Sequence, residues 1–386
     1  MKVALNEIQR RNVVKYDKVT GIFNNGLDNA YPQRVERIIN NSVTAKAALN
    51  KAMSFFIGQG FEDKTLNDVI VYEDVNGKVT AYKLLTEIAR NISRHLGAAC
   101  QIQYDRNFDI AGVKPVPFRN FRYGKKDSYE YSGFGFLYNN WDRKIELKYD
   151  AKKAQKIHMY NPNKAVVESQ FKDEKYTGQI SVLKLDDEFI YPLSQIDAVL
   201  EDADTEAQIK AFKNGELRKG FFAKYILYHT RFNNEGEQLD FKEKIKRFES
   251  GEHDASVLMA EAEFDDDGNF IKSSAFQLQK IEQNINDKIF ESYEHSVANN
   301  IRKAAWNIPS ILIEQQDGAL FGSSGEALKA AFDIYNSETQ NVRSAITQYL
   351  KEIFSHSANS ELKNKEFNIK KLTYEPTLDN SGATAD

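Results

Sequence analysis

Residues 25–61, NGLDNAYPQRVERIINNSVTAKAALNKAMSFFIGQGF, carry the clearest helical pattern near the start of the chain. The Tyr-Pro pair at 31–32 places proline in a first helical turn, and apolar residues then share one face. The polar run at 40–42 interrupts this pattern. It resumes at steps of three and four and ends at Gly58, because glycine accepts the backbone conformation that terminates a helix. The stretch predicts two helices packed as a hairpin.

Downstream of this hairpin the pattern changes to strands. The runs 69–72 and 78–80 flank an Asn-Gly pair and predict a β-hairpin, after which Thr80 is placed to cap a helix. From residue 98 to 191, aromatic and β-branched runs are broken by Gly, Pro and Asn. We expect strands in CQIQYD, VKPVPFRNFRYG, YEYSGFGFLYNNW, KAVVESQF and GQISVLKL. The first half of the chain is therefore predicted to be α+β.

Two long helical segments bracket a small module in the second half. The first is charged and covers about residues 195–217, and the second runs from about 275 to 307, ending before Pro309. Between them, strands are expected at 223–232 and 256–262, around a charged helix at 241–248. An α/β module is thus predicted to be inserted between two helices.

A Gly/Ser-rich loop, EQQDGALFGSSG, follows at residues 314–325. Ser323 and Glu326 then have the spacing of a capping box. Apolar residues alternate steps of four and three from Leu328 to Ile353, which predicts one long helix. From residue 355 the chain turns polar, and we expect a mobile tail.

The composition indicates a folded globular protein. In 386 residues, 41% are hydrophobic and 28% charged, which excludes whole-chain disorder, and a length of this order suggests two or three substructures. Cys100 is the sole cysteine, so no internal disulfide or cysteine-rich metal cluster can form. No membrane span or signal peptide is expected. The formal net charge of −4 offers no basic excess for tight nucleic-acid binding.

Motifs of common enzymes are missing from the sequence. No Gly-rich phosphate loop, nucleophile elbow or paired-histidine metal motif is present, and the acidic run at 263–268 lacks the twelfth-position acid of a calcium loop. Two groups leave alternatives open. The acids Glu201, Asp202, Asp204 and Glu206 could be general acids or metal ligands, or a solvated helix face. The aromatic residues Phe118, Phe121, Tyr123, Tyr129 and Tyr131 could stack bases, or be core or interface residues.

The chain resembles the portal proteins of tailed bacteriophages, of the type found in phages and prophages of Bacteroidetes. The resemblance rests on the opening stretch already quoted, on VPFRNFRYG (116–124) ending near Trp141, on YPLSQIDAV (191–199) and on WNIPSILI (306–313), in this order. It covers roughly residues 25–354. It implies a phage portal fold with a wing, a two-helix stem, a small α/β clip and a long C-terminal wing helix.

The resemblance assigns a role to each region. Residues 1–190 would form the N-terminal part of the wing, 191–216 and 275–307 the stem helices, and 217–274 the clip. Residues 308–356 would contribute the tunnel loop and the long wing helix, followed by a polar tail at 357–386. Larger family members carry a helical crown where this chain has that short polar tail, so the resemblance leaves open whether a crown is present. Subunits of the family form a dodecameric ring at one capsid vertex, through which DNA is packaged and ejected.

The resemblance also names candidate site residues. The tunnel loop facing DNA would present Gln315, Gln316, Asp317, Phe321, Ser323 and Ser324, and the channel-lining stem would present Glu201, Asp202, Asp204 and Asp287. The charge of the expected stem and clip is consistent with a DNA channel. Residues 191–300 hold 13 Lys/Arg and 22 Asp/Glu, a net charge of −9. An acidic wall does not grip phosphates, so duplex DNA could slide past it without sequence-specific contact.

Partners follow from the resemblance as well. They are other copies of the chain, the terminase large subunit, a head-tail adaptor, and the major capsid and scaffold proteins. No contact with a membrane is expected. The location would be the virion, after assembly in the host cytoplasm. No catalytic residue, metal or cofactor is expected. The alternatives are another head-tail adaptor or baseplate protein and, less favoured, a carboxylate-dependent hydrolase that would need its acids converged in a cleft.

Overall fold

The computed structural model describes residues 14–125, 133–141, 153–218, 225–228, 235–236, 239, 243, 267, 277–280, 287–313 and 324–374. Their α-helices are α1 Tyr31–Asn41, α2 Val43–Ile57, α3 Ala81–His95, α4 Lys164–Gln170, α5 Leu200–Arg218, α6 Asp287–Ala304, α7 Ser324–Glu338 and α8 Gln340–Phe354. Their strands are β1 Val14–Asp17, β2 Ile22–Asn25, β3 Ile70–Asp74, β4 Gly77–Thr80, β5 Gly97–Tyr104, β6 Ile110–Val116, β7 Phe121–Tyr123, β8 Phe134–Leu137, β9 Gln155–Met159, β10 Gln179–Lys184, β11 Tyr225–Tyr228 and β12 Gln277–Lys280.

The opening helical hairpin is confirmed. Ser42 separates α1 from α2: its amide closes α1 on the Ile38 carbonyl at 2.9 Å, and its hydroxyl accepts from the Ala45 amide at 3.0 Å to cap α2. Gly58 ends α2 with a φ of +57°, a conformation that favours glycine. The predicted β3–β4 hairpin and the Thr80 cap of α3 are also present.

A six-stranded sheet forms the centre of the structure. Its order is β6-β5-β10-β9-β8-β7, and all neighbours are antiparallel except β10 and β9. One face packs under α3 and α8 through a buried apolar cluster that includes Cys100, Ile88 and Ile346. A second apolar cluster contains Phe118 and, from β7, Phe121, both buried, together with Ile180 of β10. These two rings are therefore core residues, as the second interpretation of the aromatic stripe predicted, whereas residues 129 and 131 lie outside the described part of the chain.

One segment predicted as a strand is a helix. KAVVESQF, with its two valines, suggested a strand, yet residues 164–170 form α4. The Asn163 side chain accepts from the Ala165 amide at 3.0 Å and so supplies the helix cap. Val167 is buried. A local cap and one buried contact outweigh the β preference of two valines, because β propensity is strongly context-dependent.

The chain divides into two compact units, residues 1–204 with 297–386 and residues 205–296. The second unit is thus inserted into the first. Within it the second long helix is shorter than expected. Residues 277–280, predicted as part of a helix from 275 to 307, form β12 and pair antiparallel with β11, and α6 begins at 287 and ends at 304. Most of the expected clip, residues 217–274, lies outside the described residues.

The predicted long C-terminal helix is interrupted. α7 and α8 are separate helices, divided at Thr339, whose hydroxyl donates to the Tyr335 carbonyl at 2.7 Å. The buried Arg343 guanidinium donates to that hydroxyl at 2.8 Å, to the Asn336 carbonyl at 2.6 Å and to the Phe55 carbonyl of α2 at 3.1 Å. The side chains therefore satisfy carbonyl groups at the end of α7, which the heptad-like seam did not reveal.

The polar tail is packed against the fold as far as residue 374. Ile110 exchanges main-chain hydrogen bonds with the segment at 356–358, and residues 59–62 pair with 368–370. Leu362 and Phe367 are buried in the central apolar cluster. The expectation of a mobile tail was wrong for this segment. Two apolar side chains and a run of main-chain hydrogen bonds hold it, and polarity alone did not reveal either.

Candidate functional site

The acidic residues predicted to line a channel lie at the beginning of α5. Glu201 and Asp204 are exposed, and Asp202 is half-buried, its Oδ2 accepting from Asn300 Nδ2 of α6 at 3.2 Å. Glu201 and Asp202 occupy the first turn, where the helix dipole favours negative charge. These two carboxylates therefore stabilise the start of the helix, whether or not they also contact a ligand.

α5 runs antiparallel to α6. In the first unit Asp202 contacts Asn300, and in the second unit Lys213 Nζ lies 2.6 Å from Glu294 Oε1. The residue number rises along α5 while it falls along α6, so the two helices have opposite directions. The Lys213–Glu294 pair is substantially exposed and adds little stability by itself. It marks the pairing of the helices within the inserted unit.

The root of both helices is fixed in an apolar cluster on the opening hairpin. Leu200 and Ala203 of α5 and Val297 and Ile301 of α6 are buried together with residues of α1 and α2. Burial of each of the larger side chains, those of Leu200, Val297 and Ile301, contributes about 1.5–3 kcal/mol. The Tyr31 hydroxyl adds a polar tie, since it donates to Asp197 Oδ1 at 2.7 Å and accepts from the Ser194 amide at 3.0 Å.

The two chain segments that flank the inserted helices both bind the end of α3. Ser194 Oγ donates to the Arg94 carbonyl at 2.6 Å, and Trp306 Nε1 donates to the Ser93 carbonyl at 3.1 Å. Helix ends leave carbonyl groups without intrahelical partners, and these contacts supply them. The sequence motifs YPLSQIDAV and WNIPSILI contain the two donors, but nothing in their spacing revealed that they share one acceptor helix.

The turn after α6 directs the chain toward the predicted tunnel loop. Trp306 and Asn307 have φ values of +63° and +48°, two consecutive non-glycine residues in the left-handed region. The Trp306 ring packs edge-on against Phe56, with centroids 4.9 Å apart. Tertiary contacts therefore hold an unfavourable backbone turn immediately before Pro309.

The tunnel-loop candidates themselves fall largely outside the described residues. Gln315, Gln316, Asp317, Phe321 and Ser323 lie in the segment 314–323, which the structure does not describe. Ser324 begins α7 and Asp287 begins α6, and the side chains of both are also outside the description. Their assignment to a DNA-facing surface remains a prediction.

The geometry around α5 does not bring all of these acids together. Successive residues of a helix are rotated by about 100°, so positions 201 and 204 share one face of the helix while position 202 points away from position 204. Within the described residues, no group of three or more His, Cys, Asp and Glu could hold a metal ion. Glu206 lies 2.8 Å from Lys210, the i, i+4 pair of an ordinary helix face. The described geometry favours the solvated-face interpretation of this run over paired acids.

The carboxylates with a strongly lowered pKa lie elsewhere, in ion pairs. Burial alone would raise the pKa of Glu36, but His95 and Arg119 lower it to about 2. Hydrogen bonds from Lys365 and Lys114 lower the pKa of Asp63 and Asp74, respectively, each to about 2. Each of these acids is a partner in a contact that ties two segments together, the usual structural origin of such a shift.

None of the described helices combines the length and the apolarity that a bilayer span requires.

Comparison with known proteins shows similarity in structure. No protein-family model matches the sequence. No curated protein matches it either. The chain is similar to a chain in the virion of the native gene transfer agent (GTA) particle, with a TM-score of 0.51 and 10% identity over 90% of this chain and 84% of that chain.

Two further solved structures are similar at lower scores. One is a chain in the neck of the empty GTA particle, with a TM-score of 0.48 and 10% identity over 89% of this chain and 85% of that one. The other is an HK97 family phage portal protein from Corynebacterium diphtheriae, with a TM-score of 0.46 and 11% identity over 82% and 89%. Of the three, the GTA virion chain exceeds a TM-score of 0.5, and at 10% identity it shows the fold alone. The protein thus has a fold also present in a virion particle.

Proposed function

We propose that this protein is a portal subunit, a structural component that forms a ring channel for DNA in a phage-like virion. The observation that carries the proposal is the likeness in fold, over 90% of the chain, to a chain of the GTA virion. The insertion of one compact unit into another through two antiparallel helices supports it. An adaptor or baseplate protein has no evident need for this arrangement.

The parts of the chain take the following roles in this proposal. The six-stranded sheet with α1 to α4, α7 and α8 forms the wing, α5 and α6 form the stem, and the inserted unit carries the clip. The tunnel loop is assigned to residues 315–325. The clip docks the terminase during packaging and the head-tail adaptor afterwards, and the wing contacts capsid and scaffold proteins. The ring is a dodecamer at one vertex, assembled in the host cytoplasm from a protein of the Bacteroidetes phage type.

The combined charge of the stem and clip explains how DNA could pass. Residues 191–300 have a net charge of −9 per chain, and a closed ring multiplies it. Each phosphate that a protein neutralises adds salt-dependent affinity, which would act as friction on moving DNA. Exposed carboxylates such as Glu201 and Asp204 instead repel the duplex from the wall. The channel guides DNA without holding it.

A direct test is the assembly state of the purified full chain. Mass photometry and negative-stain class averages should show rings of about a dozen subunits, with a central opening wide enough for duplex DNA, roughly 20 Å. A monomer at micromolar concentration, or a ring without such an opening, would contradict the channel and favour the adaptor or baseplate alternative. As an internal control, deletion of residues 318–324 should leave ring assembly intact while impairing DNA packaging.

A further inference from the structure

The sequence contains three Asn-Gly pairs, and the fold places each of them in a different environment. They lie at residues 25–26, 76–77 and 214–215. Asparagine followed by glycine is especially prone to spontaneous deamidation, because glycine has no side chain to obstruct attack by its amide nitrogen on the asparagine side chain. The pair alone does not decide the outcome, since the attack also requires the backbone to leave its folded conformation.

This reaction needs no enzyme and consumes only water. The glycine amide loses its proton, and its nitrogen attacks Cγ of the preceding asparagine, so that a new N–C bond closes a five-membered succinimide ring. The Cγ–Nδ2 bond breaks, and the side-chain nitrogen leaves as ammonia after taking up a proton from solvent. Water then opens the ring at either carbonyl, which gives aspartate or isoaspartate. No electrons are transferred, and the net change replaces an uncharged amide by a carboxylate.

Burial protects the first pair. Asn25 is buried at the end of β2, and its main-chain amide donates to Asn29 Oδ1 at 2.9 Å. The neighbouring Gly26 has a φ of +85°, and a Cβ atom placed on it would lie 2.8 Å from Cβ of Tyr31. The backbone of this turn therefore cannot move toward the geometry of the ring without disturbing the start of α1.

The helical backbone protects the third pair. Asn214 is exposed, so solvent reaches its side chain, but it lies within α5, and Gly215 continues the helix. In an α-helix each amide donates to the carbonyl four residues earlier, and the helical ψ angle keeps the following nitrogen away from the asparagine Cγ. Ring closure at this pair requires local unfolding of α5. Exposure without backbone freedom is therefore not sufficient.

The second pair combines exposure with an open turn. Asn76 and Gly77 are exposed at the tip of the β3–β4 hairpin, next to the fully exposed Val75. Gly77 has a φ of +121°, and nothing lies within 4 Å of a Cβ atom placed on it. Asn76 Nδ2 lies 3.5 Å from Asp74 Oδ2, at the limit of a hydrogen bond. Because local opening costs least at an exposed hairpin tip, the backbone here can reach the geometry of the ring.

We propose that Asn76 is a site of spontaneous deamidation in the folded protein, whereas Asn25 and Asn214 are protected by the fold. The co-reactant is water, and the products are aspartate and isoaspartate at position 76. The hairpin belongs to the first compact unit, and the reaction requires neither a ring nor DNA, so the proposal does not depend on the proposed channel function.

Deamidation changes the surroundings of Asp74. The Asp74 carboxylate binds Lys114 Nζ of β6 at 2.9 Å and accepts from the Asn76 main-chain amide at 2.8 Å. A second carboxylate at position 76 repels Asp74 and competes with it for the same ammonium group. Isoaspartate also lengthens the main chain by one bond within the turn that sets the pairing of Asp74 with Gly77. The conversion therefore weakens a tie between the hairpin and the central sheet.

Peptide mass mapping of the purified full chain, during incubation at mildly alkaline pH, tests the proposal. Each Asn-Gly peptide is followed by its mass, which changes when the amide becomes an acid. A parallel sample unfolded in guanidinium chloride gives the rate that the local sequence alone allows. In the folded protein Asn76 should stay within a few-fold of its unfolded rate. Asn25 and Asn214 should react at least about tenfold more slowly than when unfolded, because their backbones must open first.

Asn76→Gln is the matched control. It keeps the amide, but the longer side chain would have to close a six-membered ring, which forms far more slowly, so the acidic species on ion exchange should disappear. Asn214→Gln, at an exposed position on α5, should leave that species unchanged. If folding slows the reaction of Asn76 as much as that of Asn214, the proposal is overturned. Equal rates at all three pairs in the folded protein would overturn it as well.

Discussion

Gly58 lies directly against the main-chain carbonyl of Lys370, so closely that a Cβ atom at position 58 would be 2.0 Å from that oxygen. The adjacent Gln59 amide donates to the same carbonyl at 2.9 Å. The end of α2 is thereby bound to the C-terminal segment more than 300 residues later. This contact explains why a helix terminator near the start of the chain also determines where the last segment packs.

Gly58→Ala should destabilise the protein by more than about 3 kcal/mol, because a positive φ costs roughly 1–3 kcal/mol for a non-glycine residue and the methyl group would also collide with Lys370. The free energy of unfolding can be measured in urea. Gly77→Ala is the matched control, since its φ is +121° and nothing lies within 4 Å of the added carbon. Equal losses for both variants would mean that the contact with Lys370 does not constrain position 58.

The helical hairpin and the β-hairpin could be predicted because their signals are local. Ser42, Gly58 and Thr80 act on residues within four positions, and apolar periodicity identifies the buried faces. The packing of the C-terminal segment could not be predicted in this way. Its two buried apolar residues, Leu362 and Phe367, stand in a polar run, and its main-chain partners near residues 59–62 are remote in sequence. A hydrogen bond between distant backbone groups leaves no composition signal.

Arg343→Met should lower the free energy of unfolding by several kcal/mol. The guanidinium satisfies the Phe55 and Asn336 carbonyls, and each buried acceptor left without a partner costs about 1–3 kcal/mol. The unfolding free energy of Arg343→Lys should lie between those of the wild type and the Met variant. A single ammonium group can retain part of these hydrogen bonds, but it cannot reproduce the planar two-nitrogen geometry of the guanidinium. Urea midpoints of the three proteins check the order. As a control, Lys351→Ala, which removes an exposed ion pair with Glu366, should cost no more than about 1 kcal/mol.

An Arg343→Met variant as stable as the wild type would refute the role of this side chain at the α7–α8 junction. The long apolar seam from residue 328 to 353 predicted a continuous helix because the periodicity is almost undisturbed at Thr339. The interruption depends on a buried arginine that also contacts α2. Such a tertiary contact lies outside what a heptad pattern can express.

Because of the Glu36 carboxylate, the free energy of unfolding should fall at acid pH. Burial would raise its pKa, but the hydrogen bond and charge of His95, together with Arg119, lower it from the ordinary value of 4.5 to about 2. Because the folded-state pKa is the lower one, this stabilisation is complete above about pH 4.5 and is lost as the pH falls towards 2. The difference in unfolding free energy between wild type and Glu36→Gln should shrink between pH 6 and 3, by on the order of 2–3 kcal/mol.

The same titration with Asp63→Asn supplies the comparison. Asp63 also has a pKa of about 2, owing first to Lys365, but this pair is solvent-exposed. Salt should weaken its contribution, whereas the buried Glu36 contact should respond little to ionic strength. If the Glu36→Gln difference stays constant from pH 6 to 3, the ion pairs with His95 and Arg119 do not stabilise the folded protein.

The acidic character of the candidate site can be predicted from the sequence, but its geometry cannot. The acidic bias of residues 191–300 can be counted from the sequence. The sequence could not show that Asp202 turns toward Asn300, nor that Ser194 and Trp306 both cap α3. These contacts join segments about 100 to 200 residues apart, so their partners are determined only by the packed structure.

Replacement of the exposed acids Glu201 and Asp204 by Lys should make assembled rings retain duplex DNA. The double variant changes the charge by four units per chain, and each phosphate that becomes neutralised steepens the fall of binding with salt by about 0.9 logarithmic units. Asp202 is left in place because it binds Asn300. Filter binding or fluorescence anisotropy with a short duplex, from about 50 to 300 mM salt, measures the slope. Glu174→Lys with Glu361→Lys, at exposed sites away from the inserted helices, carries the same charge change. Equal DNA retention by both double variants would show that net charge alone matters, and would remove Glu201 and Asp204 from the channel wall.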